Sequence, residues 1–418
     1  MTKKIKLLHT SDWHLGARLL NKDREEEQLF FLNELVELIK TNNINLLIIA
    51  GDIFDTGVPS NSARKMYYLF LTQLIGTCCE HIVITGGNHD SPSMLEAPKE
   101  VLELLNIYVI GAAETNENGE INFDHEIIKL HGINKDLHAV IAAVPFLRDR
   151  DIMKSVAGQS FEDRIAAMRQ GLRNHYQHLA ELLSEYKEIP IIATGHLFAQ
   201  KSVLPGNDAR QEGENDIHIG NLAQVDMSEF YSTFSYMALG HIHKAQKPGG
   251  FENIRYSGSP LCMSFSEFKD EKTITVVEFE NENFISATDI TLSKPRQIVR
   301  FKGNEEILKN EIENYSNPNT LTAWAEIIFT EPFTQMSLDA LNSTAKEKNI
   351  EILKYTLEEQ KKIQTDESEK YSGKTLQELT PEDLLEMKCI EEGYTEEQIK
   401  EIKQSFQLLT DLMHHVGT

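Results

Sequence analysis

Five short apolar runs in this chain each stop at a glycine, an acid, an amide or an imidazole, and this recurrence constrains the fold most. The runs are IKLLHTSDWH (5–14), NLLIIAGDIFD (45–55), HIVITGGNHD (81–90), IIATGH (191–196) and SYMALGHIH (235–243). Each begins with β-branched and large aliphatic residues, the composition of a strand buried on both faces. A sixth run, AVIAAVPF (139–146), is similar, and helix-period segments such as Glu25 to Lys40 and Ser62 to Leu74 lie between several of them. Strands alternating with helices predict a layered α/β domain. In such sheets ligands sit beyond the carboxyl ends of the strands, and all five polar clusters fall at that end.

The clusters share one chemistry. In GHIHK (240–244), His241 and His243 are two residues apart, so on extended backbone both rings face the same side. Alone, such a pair is more often a surface or structural feature than a site. Five clusters in equivalent positions are a different matter. Together they supply Asp12, His14, Asp52, Asn88, His196, His241 and His243, seven oxygen or imidazole donors with no thiolate. That is more than one open tetrahedral site uses, and it suits two ions of higher coordination number that share a carboxylate. Asp52 is the natural bridge, and His241 and His243 would serve one ion each. Ions about 3.5–4 Å apart clamp the attacking and leaving oxygens of an in-line displacement at phosphorus. The mixed donor set permits manganese, iron or zinc.

Charge narrows the partners. The 418 residues include 65 acidic and 41 basic side chains, a formal net charge of -24, which argues against a general electrostatic footprint for nucleic acid. A polyanionic substrate would be held locally, by metal or with a partner's help. Cys78, Cys79, Cys262 and Cys389 form no CxxC and read as small buried hydrophobes in a reducing compartment. No signal peptide and no apolar run of transmembrane length is visible, so the expected location is the cytoplasm.

The organisation changes along the chain. Residues 1–290 carry all the clusters, and KTITVVEFENENFISATDITL (272–292), a hairpin-like tail, closes the sheet of this domain. The periodicity from Phe161 to Lys187 predicts a long surface helix with His175 and His178 solvated, and 201–216 is a long polar loop. Residues 295–360 alternate β-α-β-α-β, the pattern of a small α+β domain. A polar linker is expected over 361–378, and 379–418 turns helical again. There Thr380-Pro381-Glu382-Asp383 and Thr395-Glu396-Glu397-Gln398 are helix starts and Gly393 is a stop. Ile399, Ile402, Phe406, Leu409, Met413 and Val416 make an a/d seam. The seam would pack on the protein's own body or on a partner, and the preceding linker favours the partner. Residues 351–418 hold 16 acidic and 8 basic side chains, a poor DNA surface and a plausible protein one.

DxH, GDxxD, GNHD, GH and GHxH in this order resemble the signature of the calcineurin-like metallophosphoesterases. HTSDWHLG, GDIFDTG and GHIHK followed by YSGSP are similar to one branch of that family, the nuclease subunits of bacterial double-strand-break complexes, and the likeness extends along the whole chain. The resemblance implies a metallophosphoesterase β-sandwich with flanking helices, a capping domain and a C-terminal helical pair. It implies one ion on Asp12, His14, Asp52 and His243, and a second on Asp52, Asn88, His196 and His241, with manganese as the metal. His89 would face the scissile phosphate and help protonate the leaving oxygen, and Asp90 would orient that imidazole. Water would attack without a covalent intermediate. The implied activities are a three-prime-to-five-prime exonuclease on duplex ends and an endonuclease on single strands and hairpins, in DNA repair, recombination and replication. The implied partners are an SMC-like ATPase docked on the C-terminal helices, DNA, and a second copy met through helices at 62–74 and 94–105.

Two other functions share parts of this pattern. A phosphatase or phosphodiesterase acting on a small molecule or a phosphoprotein would use the same ligands, but has no evident use for the capping segment and the heptad-bearing tail. A non-enzymatic scaffold would not need the full donor set and His89. Outside the donor set, His9 reads as a core histidine and Trp13 as packing behind the site. Asp55 is either a partner of a site histidine or a turn cap, and Arg18 and Lys201 lie where they could touch phosphate. His125, His131, His138, His218, His414 and His415 read as surface residues.

Overall fold

The computed structural model describes residues 3–116, 120–132, 134–153, 160–200, 202 and 224–358, with 385, 389, 399, 400, 402 and 403. Two sheets form its centre. The first has six strands in the order Asn283–Thr291, Thr273–Glu280, Lys4–Thr10, Leu46–Ala50, His81–Thr85 and Ile107–Ile110. The last four run parallel, and the first two form the expected antiparallel hairpin against Lys4–Thr10. The second sheet has five strands, Ile254–Tyr256, Tyr236–Gly240, Ile191–His196, Leu137–Ala142 and Ile127–His131, antiparallel only at the last pair.

Alternation along each strand builds three apolar layers. Leu7, Leu46 and Ile48 turn into a core shared with Ile141, Ile192, Tyr236 and Ala238 of the other sheet. Their neighbours Leu8, Leu47 and Ile49 turn outward onto Phe31, Leu35, Tyr67 and Phe70, which belong to the helices Glu25–Thr41 and Asn61–Leu74. Successive side chains on a strand face opposite ways, so a strand covered on both sides reads as an unbroken apolar run. The outer face of the second sheet is covered by the helix Phe161–Leu183 through Met168, Leu172, Tyr176 and Leu179. The layers are therefore helix, sheet, sheet, helix, the expected α/β sandwich.

Residues 298–357 follow the order strand, helix, strand, helix, strand: Ile298–Gly303, Glu305–Asn314, Ala323–Phe329, Gln335–Glu347 and Ile350–Leu357. All three strands pair in parallel, as crossover helices require, around Leu308, Ile312, Ile327 and Leu341. This unit is pinned to the sandwich by Arg296, whose guanidinium stacks on Trp324 at 4.1 Å and pairs with the buried Glu27 at 3.1 Å. The expected polar loop at 201–216, apart from Ser202, lies outside the described residues. So do the linker, the helix starts at 380 and 395, Gly393, and Phe406, Leu409, Met413 and Val416 of the seam. No helix among the described residues is long and apolar enough to cross a membrane.

Candidate metal centre

The seven expected donors all stand at or just beyond the carboxyl ends of strands. In the first sheet Lys4–Thr10 leads into Asp12 and His14, Leu46–Ala50 into Asp52, and His81–Thr85 into Asn88. In the second, Ile191–His196 ends on His196, and Tyr236–Gly240 leads into His241 and His243. Hydrogen bonds tie these turns together. The Asp12 N–H donates to the Gly51 carbonyl and the His14 N–H to the Asp52 carbonyl, each at 3.0 Å. The His241 N–H donates to Asp12 Oδ1 at 2.9 Å, joining the two sheets.

The backbone here is strained. Asp12, His14, Asp52 and His241 have φ of 54°, 46°, 50° and 97°, a region that costs a non-glycine residue roughly 1–3 kcal/mol. Four such residues in one small volume mark a place where side-chain direction takes precedence over backbone comfort. Gly51 and Gly240 permit the close approach: a Cβ on Gly51 would collide with the His196 ring, and one on Gly240 with the Ala50 carbonyl.

The side chains converge on two adjoining points. At the first, His14 Nε2 and His243 Nε2 are 3.2 Å apart, and atoms of Asp12, His14 and His243 all lie within 4.8 Å of one another. At the second, Asn88 Oδ1 is 3.1 Å from both His196 Nε2 and His241 Nδ1. Asp52 Oδ2 stands between them, 3.1 Å from His196 Nε2 and 3.6 Å from His14 Nε2. Asp12 and Asp52 are buried.

Electrostatics accentuate the contrast between the groups. Burial would raise the Asp52 carboxyl, but His196 and His14 hold it well below the usual range, so it stays ionised. Burial would lower His196, but Asp52 raises it to about 9. His241 is pushed down to about 3 by burial and by the charge of His196, which leaves it a neutral imidazole with a lone pair to offer. Two buried carboxylates, an amide oxygen and four imidazoles turned on one another form a cradle with the donor chemistry of divalent cations, and the residues fit a pair of them.

His89 and Asp90 sit beside this cradle. The His89 N–H donates to Asp52 Oδ1 at 3.0 Å, its ring is 4.9 Å from that of His14, and its Nδ1 is 2.8 Å from the Asp55 carbonyl. That carbonyl, not Asp90, orients the ring, which corrects the expectation for Asp90. The Asp90 carboxylate accepts instead from the N–H groups of Ile53, Phe54 and Gly87 at 3.1, 3.0 and 2.9 Å. Neighbours on a tight turn point apart, so Asp90 reaches inward and stitches the Asp52 turn to the Asn88 turn. Burial and the charge of Asp52 raise it to about 6.

Asp55 Oδ1 lies 3.4 Å from His14 Nδ1, the place of a partner to a site histidine. Glu267 and Lys272, to which no sequence motif points, are both buried behind His243. His9 is a buried core residue bonded to the Tyr236 hydroxyl at 3.0 Å, and Trp13 packs between Phe31 and Phe70. His175 is not solvated as expected: it is buried and paired with Glu126 at 2.7 Å. His178 is exposed, as are Arg18 and His131, while His125 and His138 are half-buried. Lys201, His218, His414 and His415 lie outside the described residues.

A sandwich of this topology with a nitrogen and oxygen donor cradle at its strand ends defines a class of phosphoryl-cleaving proteins. Residues 5–245 match the calcineurin-like phosphoesterase family, and the chain belongs to that family. Within it, the chain is similar to the SbcD component of nuclease SbcCD from Escherichia coli strain K12, 34% identical over 315 residues, 74% of each protein. It is likewise similar to the SbcD component of the same nuclease from Rhodobacter capsulatus, 32% identical over 66% of each chain. The corresponding protein from Bacillus subtilis strain 168 is 28% identical over 71% of this chain and 72% of its own.

Proposed function

We propose that this chain is a metal-dependent DNA nuclease, the SbcD component of an SbcCD complex. In this reading it is a three-prime-to-five-prime exonuclease on duplex ends and an endonuclease on single strands and hairpins, serving DNA repair, recombination and replication in the cytoplasm. The observation that carries the reading is the convergence of all seven donors on two adjoining points with His89 beside them. Asp12, His14, Asp52 and His243 would hold one manganese ion, and Asp52, Asn88, His196 and His241 the other. When bound, the two ions supply a Lewis-acidic clamp for the phosphate and for the attacking water.

The chain's own residues do the rest. The Asp55 carbonyl fixes a proton on His89 Nδ1 and leaves Nε2 for a phosphate oxygen. With a proton on Nε2, the ring would stabilise developing charge and pass that proton to the leaving oxygen. Asp90 keeps the Asp52 and Asn88 turns at a constant separation, which is its part in the chemistry. The unit at 298–357 would act as the capping domain over the DNA. Exposed Leu69, Val101, Leu104 and Leu105 support a homodimer through the faces near 62–74 and 94–105. The segment at 379–418, expected from its sequence to be helical, would dock on SbcC, the SMC-like ATPase of the complex, giving a heterotetramer.

The test is cleavage of a labelled hairpin duplex in manganese, with and without SbcC and ATP. Cutting should require metal and be stimulated by the partner. The His89→Gln protein should keep its manganese but cut about 10²-fold or more slowly, the scale of a positioned acid. Hydrolysis of small phosphate esters without any cutting of DNA would favour the phosphatase reading.

A further inference from the structure

Behind His243 lies a charged pair that the donor set does not use. Glu267 and Lys272 are both nine-tenths or more buried, and the Lys272 ammonium donates to the Glu267 carboxylate. Glu267 Oε1 stands 3.7 Å from His243 Nδ1, on the side of the ring away from His14. Its Oε2 accepts from the Met263 N–H at 3.2 Å. Lys272 Nζ also donates to the His243 carbonyl at 3.2 Å and to Ser259 Oγ at 3.0 Å, while the Ser259 N–H donates to the same carbonyl at 3.1 Å. One ion pair thus holds the backbone of His243 and faces its ring.

Stability alone does not account for this pair. Taking two charges out of water costs as much as their attraction returns, and apolar side chains of the same volume commonly do as well or better. Because the charges cancel, the pair adds little net attraction for a cation. What it adds is direction: a carboxylate facing Nδ1 at 3.7 Å favours the proton on that nitrogen, which leaves the Nε2 lone pair toward His14.

We propose that Glu267 and Lys272 are positioning residues that set the tautomer and orientation of His243, and thereby the affinity of the ion on the His14–His243 side. The inference rests on the reading of His243 as a ligand. Carboxylates placed behind a ligating imidazole are worth about 10–100-fold in metal affinity, and Asp55 stands behind His14 in the same way.

The experiment compares the full-length protein with Glu267→Leu/Lys272→Met, which removes both charges together and so strands neither. Manganese titration by calorimetry should show one of two ions bound about 10–100-fold more weakly and the other unchanged, with a melting temperature close to that of the parent. Nitrogen-15 spectra of labelled histidine in the metal-free protein should show His243 losing its fixed Nδ1–H tautomer. Wild-type affinity at both sites with an unchanged tautomer overturns the proposal. His243→Ala separates the two levels. If it weakens one ion while the double variant weakens none, the positioning role falls and the ligand reading stands. If His243→Ala leaves both ions bound, the ligand reading falls and takes the positioning role with it.

Discussion

The two halves of the centre are backed by different materials. On one side His14 and His243 each have a carboxylate beyond Nδ1, Asp55 at 3.4 Å and Glu267 at 3.7 Å. On the other, His196 Nδ1 donates to the Ala50 carbonyl at 3.0 Å, and the ring rests against Gly51. The first half is held by side chains and can be retuned by substitution without disturbing a strand. In the second the His196 ring is held by main chain, so its direction belongs to the sheet-to-sheet contact itself. A ligand backed by backbone has a fixed direction but a weaker acceptor, whereas one backed by a carboxylate gains basicity.

Asp52 belongs to both halves, and removing it erases the distinction between them. In Asp52→Ala both His14 and His196 lose their shared carboxylate, and the His89 N–H loses its acceptor at 3.0 Å. Manganese stoichiometry by calorimetry should fall from two to zero and cleavage to background. Retention of two ions would show that the halves do not share a bridge.

Much of this centre can be read directly from the chain because its donors travel in short motifs at strand ends, where a buried apolar run meets a glycine turn. The layered fold is legible for the same reason. His175 is a case where a signal was present but outweighed by composition. It lies three residues after Leu172 and four before Leu179, on the apolar stripe of its helix, which is why it is buried against Glu126. Adjacency to His89 was a misleading cue for Asp90, since neighbouring side chains on a turn diverge. Glu267 and Lys272 left no readable trace. SFSEFKDEK has the composition of a solvated turn, and only the closing hairpin that follows it brings Lys272 back to His243, 29 residues away.

The backbone-held half is tested by one methyl group. Gly51 has φ of +86°, and a Cβ there would meet the His196 ring. Gly51→Ala combines a left-handed alanine with a displaced imidazole. It should destabilise the protein by about 1–3 kcal/mol in denaturant unfolding and weaken the ion on the His196–His241 side, leaving the His14–His243 side close to normal. Equal weakening of both ions would mean that the halves are mechanically one.

A control for both halves lies beneath them, where His9 of the first sheet meets Tyr236 of the second. Burial lowers His9 to about 3 from its usual 6.5, so the folded protein keeps this ring neutral. Above pH 6.5 neither the folded nor the unfolded chain carries the proton, and His9 makes no pH-dependent contribution. Below 6.5 the unfolded chain takes up a proton that the folded one refuses, and stability declines until the pH nears 3. The slope from this one group is at most about 1.4 kcal/mol per pH unit. His9→Asn keeps a hydrogen-bonding group for Tyr236 without the titration, so the unfolding free energy should fall less steeply between pH 6 and 4 than in the parent. Both ions should bind the variant with parent affinity, because His9 touches neither half. An unchanged slope would place the acid sensitivity elsewhere, and a loss of either ion would show that the sheet contact, rather than the residues on the turns, sets the geometry of the centre.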